Sequence, residues 1–219
     1  MENTVKSNYL ILANKNTKKK LVFYPVAKNA NSSAKLFILK HLKMENKYFF
    51  LSDQIPEYIL NTDERYKNLD WRFNLVNFIP SYSPFAKVDA DYKCCIIRDP
   101  IKRFISTYKN RILFHKDIGF QNLNINEIIE KLEKKLFDNK HFLPQSYWLG
   151  NDLKYFTIVS NISNMKSFID GVNNFFQNKV EFPRIQTGGS NENINLTDDQ
   201  IIKLKKIYSS DYDLIGDLL

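Results

Sequence analysis

VAKNANSSAK (26–35) follows the apolar run LVFYPV and leads into LFILKHL, so a strand ends where a helix begins around one lysine and two serines. Such a junction aims several backbone N–H groups at one point, and the helix dipole adds positive potential there. The turn is therefore a cradle for an anion. Phosphate loops usually take the form G-x-x-x-x-G-K-[ST], yet residues 24–35 contain no glycine, which excludes a Walker loop. Ala27, Ala30, Ser32 and Ser33 still permit close approach, the two hydroxyls can donate to anionic oxygens, and Lys28 can set an ammonium beside a bridging oxygen. Standing alone, the stretch would also fit an ordinary helix start with a solvated lysine.

A second junction, IIRDPIKRFISTY (96–108), again puts a cation at a strand end and a hydroxyl two turns into a helix. Arg98 and Ser106 are separated by the RDP turn so that both can reach one phosphate beside that helix. An isolated RDP reads as a structural ion pair at a helix cap. Two such junctions in one chain point instead to a ligand with two anionic ends. A hydroxyl acceptor would need a base, and the chain has 3 histidines. His141 lies in the turn-rich stretch HFLPQSYWLG with a usable pKa, whereas His41 in the first helix and His115 at the end of the RDP helix read as structural. For His141 the residues leave three roles open: base, acceptor positioning, or plain structure.

The elements that must position these residues alternate in type. YLILA (9–13) and KLVFYPV (20–26) read as strands around the turn NKNTKKK, whose lysines form a solvated tip. Leu36, Leu39 and Leu42 fall at helical spacing, predicting a helix with Ser32 or Ser33 as its cap. KCCII (93–97) reads as a buried strand, and Asp99 and Pro100 as the cap and first residue of the next helix. That helix should bury Ile101, Phe104, Ile105, Tyr108 and Ile112 and leave Arg103, Ser106 and Asn110 on another face. Further helices are predicted over 125–137, 163–176 and from the Thr197 cap to the C-terminus, with a strand over 155–159. Residues 45–92 give no clear pattern beyond LDWRFNLVNFI as helix or strand and FIPSYSPF as an extended loop. The alternation predicts an α/β fold with a mainly parallel central sheet flanked by helices, in a P-loop-like three-layer arrangement. No repeat or linker is visible, so residues 1–219 read as one domain.

Composition narrows the class further. Hydrophobic residues make up 43% and aromatic residues 14%, which excludes disorder. A net charge of +8 implies attraction to a polyanion: nucleic acid, anionic lipid, nucleotide or acidic polysaccharide. Adjacent Cys94 and Cys95 make neither a disulfide framework nor a metal site and read as two small buried strand residues. No apolar run is long enough to span a bilayer, and no signal-peptide cleavage pattern opens the chain. A cytoplasmic enzyme is the expectation.

Taken in order, K-N-A-x-S-S after a strand, R-D-P-x-x-R-F-x-S-x-Y after a second, H-x-x-P-Q further on and a terminal I-Y-x-x-D-Y-x-L resemble one family. It is that of the carbohydrate-type sulfotransferases, which use 3′-phosphoadenosine 5′-phosphosulfate (PAPS). The order and spacing match along residues 20–215. The resemblance implies that Lys28, Asn29, Ala30, Asn31, Ser32 and Ser33 hold the 5′-phosphosulfate end, and that Arg98 and Ser106 hold the 3′-phosphate. Lys28 would stabilise charge on the bridging oxygen as adenosine 3′,5′-bisphosphate leaves, and His141 would occupy the base position. The implied acceptor is a hydroxyl of a carbohydrate or glycolipid, with no metal and no nucleic acid involved. Positioning and charge stabilisation would do most of the work in an in-line transfer between two oxygens.

Departures from the family pattern are Val26 and Ala27 where many relatives have a proline, and Asn31 where a smaller residue is frequent. The loop TGGSNENIN (187–195) has few cations, and Arg184 nearby takes no assigned role. Two other classes compete. A nucleotide kinase shares the strand–loop–helix geometry but would need the missing glycine-rich loop and an acidic Walker B residue. A non-catalytic basic module for nucleic acid or anionic glycan would use the aromatic residues for stacking, yet no zinc finger or RNP-like pattern is present.

Overall fold

The computed structural model describes residues 9–14, 17–42, 71–76, 85, 87–183 and 190–219. Strand β1 (Tyr9–Asn14) turns back antiparallel into β2 (Lys20–Tyr24), as the hairpin pattern predicts. After β2 come helix α1 (Asn31–His41), strand β3 (Trp71–Val76) and strand β4 (Tyr92–Ile97). Helix α2 (Pro100–Thr107) passes directly into a π-helical stretch, Tyr108–Phe114. Then follow α3 (Ile125–Glu133), α4 (Gln145–Leu149), β5 (Ile158–Asn161), α5 (Lys166–Phe176), α6 (Asp198–Ile207) and α7 (Ser209–Ile215).

The sheet order is β3-β1-β2-β4-β5. β2, β4 and β5 form its parallel half, and β1 joins β2 and β3 antiparallel, so the expected α/β architecture carries an antiparallel extension at one side. Side chains alternate across the parallel half with a period of two. Leu21, Phe23, Cys94 and Ile96 face α1 and α5, packing on Phe37, Ile38, Phe168 and Val172. Val22, Tyr24, Cys95 and Ile97 face the opposite layer, with Leu149, Phe156 and Ile215. Cys94 and Cys95 are thus buried in opposite faces as free thiols, and burial pushes both thiols up. A third core lies beyond the sheet, where Phe104, Tyr108 and Ile112 meet Ile128, Leu132, Phe142, Leu204 and Tyr208.

Several sequence expectations shift. Helix α1 is not capped by Ser32 or Ser33: its N-cap is Ala30, in the left-handed region with no side-chain cap, and both serines fall in the first turn. The strand expected over 155–159 begins at Ile158, because Tyr155 and Phe156 turn out of the sheet to pack edge-on against Tyr24. The final helix breaks at Tyr208, whose hydroxyl donates to Phe142 O at 2.9 Å, and restarts as α7. Asp99 caps α2 by accepting from Lys102 N, with Pro100 as its first residue, and Thr197 opens α6 in a capping box with Gln200, both as expected. His41 reads correctly as structural, stacked on the Phe176 ring at 4.4 Å. Among the described residues no helix is long and apolar enough to cross a membrane.

Candidate active site

Because β2 and β4 are parallel neighbours, their carboxyl ends open side by side, and the turns that follow them meet at one edge of the sheet. The turn after β2, residues 27–30, is strained without glycine: Lys28 has φ 69° and Ala30 φ 56°. Residues with a Cβ pay for the left-handed region, so the surroundings must hold the turn in place. Arg98 Nη1 donates to Lys28 O at 2.9 Å, and Arg103 Nε donates to Ala27 O at 3.0 Å. Asn29 Nδ2 donates to Ile96 O at 2.7 Å and to Gln145 Oε1 at 2.6 Å. Gln145 in turn accepts from Arg98 N at 3.0 Å and donates to Arg98 O at 2.7 Å.

Asp211 supports this arrangement from α7. One carboxylate oxygen accepts from Gln145 N at 2.8 Å and the other from Ser146 N at 2.8 Å, which satisfies the start of α4. Arg103 also donates from Nη2 to His141 O at 3.1 Å, so one guanidinium ties the turn to the histidine segment. Arg103, expected with Ser106 and Asn110 on a face other than the apolar one, is only 1% exposed. Its neighbours explain the burial: Thr107, one turn on, is buried too and lies 3.0 Å from Arg103 O and 3.3 Å from His141 O through its hydroxyl. Arg103, Gln145 and Asp211 are the site-building residues that the sequence reading gave no role. The first two lie inside the R-D-P-x-x-R and H-x-x-P-Q patterns, and the third in I-Y-x-x-D-Y; the motifs themselves were the available signal.

Lys28, half-buried, directs its ammonium to Asn110 Oδ1 on the π-helical stretch. Burial, helped by Arg111 and Arg98 and opposed by Asp117, brings its pKa down to about 8. His141 lies in the same electrostatic neighbourhood. Burial, then the charges of Arg111, Lys28 and Lys140, lower its pKa to about 4 against the pull of Asp117. At neutral pH the lysine is mainly charged and the imidazole neutral. His141 Nδ1 lies 2.8 Å from Asn139 Oδ1.

The predicted residues divide into groups. Lys28, Arg98 and His141 are brought to the same edge, and Arg98 touches the turn directly. Arg98 Nε is buried with no partner, and Asn31 Oδ1 likewise. Asn29 turns its side chain inward to the sheet, so only its backbone faces the cradle. Ala30 and Asn31 form the helix entry, Ser33 is buried and Ser32 half-buried. Ser106 is half-buried on α2 and makes no hydrogen bond to Arg98. His115 is exposed at the end of the π-helical stretch. Arg184 and residues 187–189 lie outside the described residues; Ser190, just beyond, donates from its N–H to Lys109 O at 3.2 Å.

The arrangement suits an anionic group at the α1 entry: a short helix-leading turn, one ammonium of moderate pKa, and a buried guanidinium N–H without an acceptor. A neutral imidazole stands beside it as a proton acceptor. A family model for the sulfotransferase family matches residues 13–216, nearly the whole chain. No curated protein and no solved structure matches it.

Proposed function

The chain belongs to the sulfotransferase family, and we propose that it moves a sulfuryl group from PAPS to a hydroxyl of a carbohydrate or glycoconjugate. The observation that carries this reading is the junction of two strand ends, where Arg98 grips the Lys28 turn while Lys28 and His141 share one electrostatic neighbourhood. The donor fits the residues present. Lys28 and the entry of α1 would hold its phosphosulfate end, and Arg98, with Nε unpartnered, would meet anionic oxygen, with Ser106 further along α2. The bound donor would supply an activated sulfuryl group.

His141 accepts the proton of the acceptor hydroxyl, whose oxygen forms the new bond to sulfur. The old S–O bond breaks as that bond forms, and its electron pair stays on the departing bisphosphate. Lys28 neutralises the charge gathering there, a contribution made in the transition state more than in the ground state. The positive charge of the chain supports an anionic donor and is compatible with an acidic glycan acceptor.

Melting the protein with adenosine 3′,5′-bisphosphate, adenosine 5′-monophosphate, or ATP with magnesium tests the donor. At one hundred times its dissociation constant a specific ligand stabilises by about 2.7 kcal/mol. A rise in melting temperature for the bisphosphate, lost in Arg98→Ala, is expected. No rise with any nucleotide would reject the donor and favour a non-catalytic anion-binding module. For turnover, kcat/KM reports the free enzyme, so a base with pKa about 4 and a required lysine ammonium with pKa about 8 predict a bell. Activity rises with pH through about 4 as His141 loses its proton and falls above about 8 as Lys28 loses its own. A profile still rising at pH 10, or unchanged turnover in His141→Ala, would remove these assignments.

A further inference from the structure

Behind His141 runs a chain of side chains that the reaction scheme above does not use. Arg111 Nε donates to Asp117 Oδ2 at 2.7 Å, and Asn139 Nδ2 donates to the same oxygen at 2.7 Å. A carboxylate only accepts, so it dictates which end of the Asn139 amide faces it. The NH2 group must turn to Asp117, which leaves Oδ1 facing His141. Oδ1 lies 2.8 Å from His141 Nδ1 and also accepts from the His141 backbone N–H at 3.1 Å. An amide oxygen is an acceptor too, so the ring nitrogen opposite it must carry the proton.

We propose that Asn139 is a positioning residue that locks His141 in the Nδ1–H tautomer and leaves the Nε2 lone pair as the basic atom. The inference rests on the reading of His141 as the base. Arg111 and Asp117 form the outer part of the same relay: Arg111 fixes the carboxylate, the carboxylate fixes the amide, and the amide fixes the ring. When Nε2 takes the acceptor's proton, Nδ1–H stays on Asn139 Oδ1 and no proton passes further, because a neutral amide is too weak a base to receive it. A neutral amide at this place leaves the ring without the rise in pKa that a facing carboxylate would bring. A merely structural role is the competing explanation, since Asn139 also caps the short 3-10 turn Lys140–Phe142.

Nitrogen NMR of the full chain carrying 15N-labelled histidine separates the two. The protein has 3 histidines, and the His141 signals are identified by their absence from His141→Ala. At pH 7 the wild-type ring should show a protonated Nδ1 and an unprotonated Nε2. In Asn139→Ala the protonated Nδ1 signal should be lost to a mixture in which Nε2–H is substantial. Asp117→Ala, a change in a partly exposed loop, should give a weaker loss in the same direction and serves as the second variant if Asn139→Ala does not fold. A wild-type ring protonated at Nε2, or a tautomer indifferent to both Asn139→Ala and Asp117→Ala, would overturn the proposal. These outcomes do not depend on turnover. A failure of His141→Ala to slow sulfuryl transfer would instead reject the base assignment and leave the tautomer result standing.

Discussion

The helix start after β4 is capped by its own residues, whereas the turn after β2 is held by residues far along the chain. In the first, Asp99 caps α2 from one position before it and Pro100 supplies the backbone angle of the first helical residue. In the second, two residues with positive φ stand where glycine is the usual choice, and α1 begins without any side-chain cap. What stabilises that turn arrives from 67 to 116 residues away, through Asn29's bonds to Ile96 and Gln145. A turn made this way has no stable local fallback. It exists only when the sheet, α2 and α4 are all in place, so the cradle and the rest of the site should form together.

Three substitutions would break or sharpen this contrast. The largest effect is expected from Arg103→Leu, which leaves the Ala27 carbonyl without its buried donor and the His141 carbonyl with only the Thr107 hydroxyl at 3.3 Å. A loss of about 2–5 kcal/mol in a urea melt is expected, together with loss of the bisphosphate-induced rise in melting temperature. Retained stability would mean that the turn supports itself after all. Asp99→Ala should cost only about 1 kcal/mol, the usual value of an N-cap, and should leave bisphosphate binding within a few fold. A collapse of binding in this variant would show that the local cap also holds the cradle. The smallest change is Ala30→Gly, which relieves the left-handed strain and should stabilise by about 0.5–1 kcal/mol. Destabilisation would mean that the Ala30 methyl packs usefully in the turn, and the same urea melt decides it.

The contrast also explains how much of the molecule was legible in its sequence. The Asp99 cap, the Thr197 capping box, the hairpin and the buried Cys94–Cys95 strand were readable because each rests on neighbours within a few positions. Motif residues named the edge of the sheet where Lys28, Arg98 and His141 gather. The start of α1 was misplaced because Ser32 and Ser33 look like caps, while the true boundary is set by long-range bonds to Ala27, Lys28 and Asn29. The burial of Arg103 is not legible in its helix, because a charged residue of an amphipathic helix ordinarily lies on an open face. Only the tertiary fold shows that two carbonyls from other segments meet it. Asp117 and Asn139 meet across 22 residues, so their pairing leaves no local signature.

The π-helical stretch Tyr108–Phe114 has a consequence for how this site tolerates change in length. Its wider turn, seen in the bond from His115 N to Asn110 O, brings Asn110 to Lys28 and the next residue, Arg111, to Asp117. Such a stretch is equivalent to an extra residue accommodated in an α-helix. Removing one residue here would let the segment return to ordinary winding with what lies beyond it still in phase, and would re-aim only the residues inside the wider turn, Asn110 and Arg111 among them. The two contacts would then be lost at once, although no contacting residue had been altered. A chain of this kind can therefore exchange side chains at the site more freely than it can gain or lose a single backbone unit beside it.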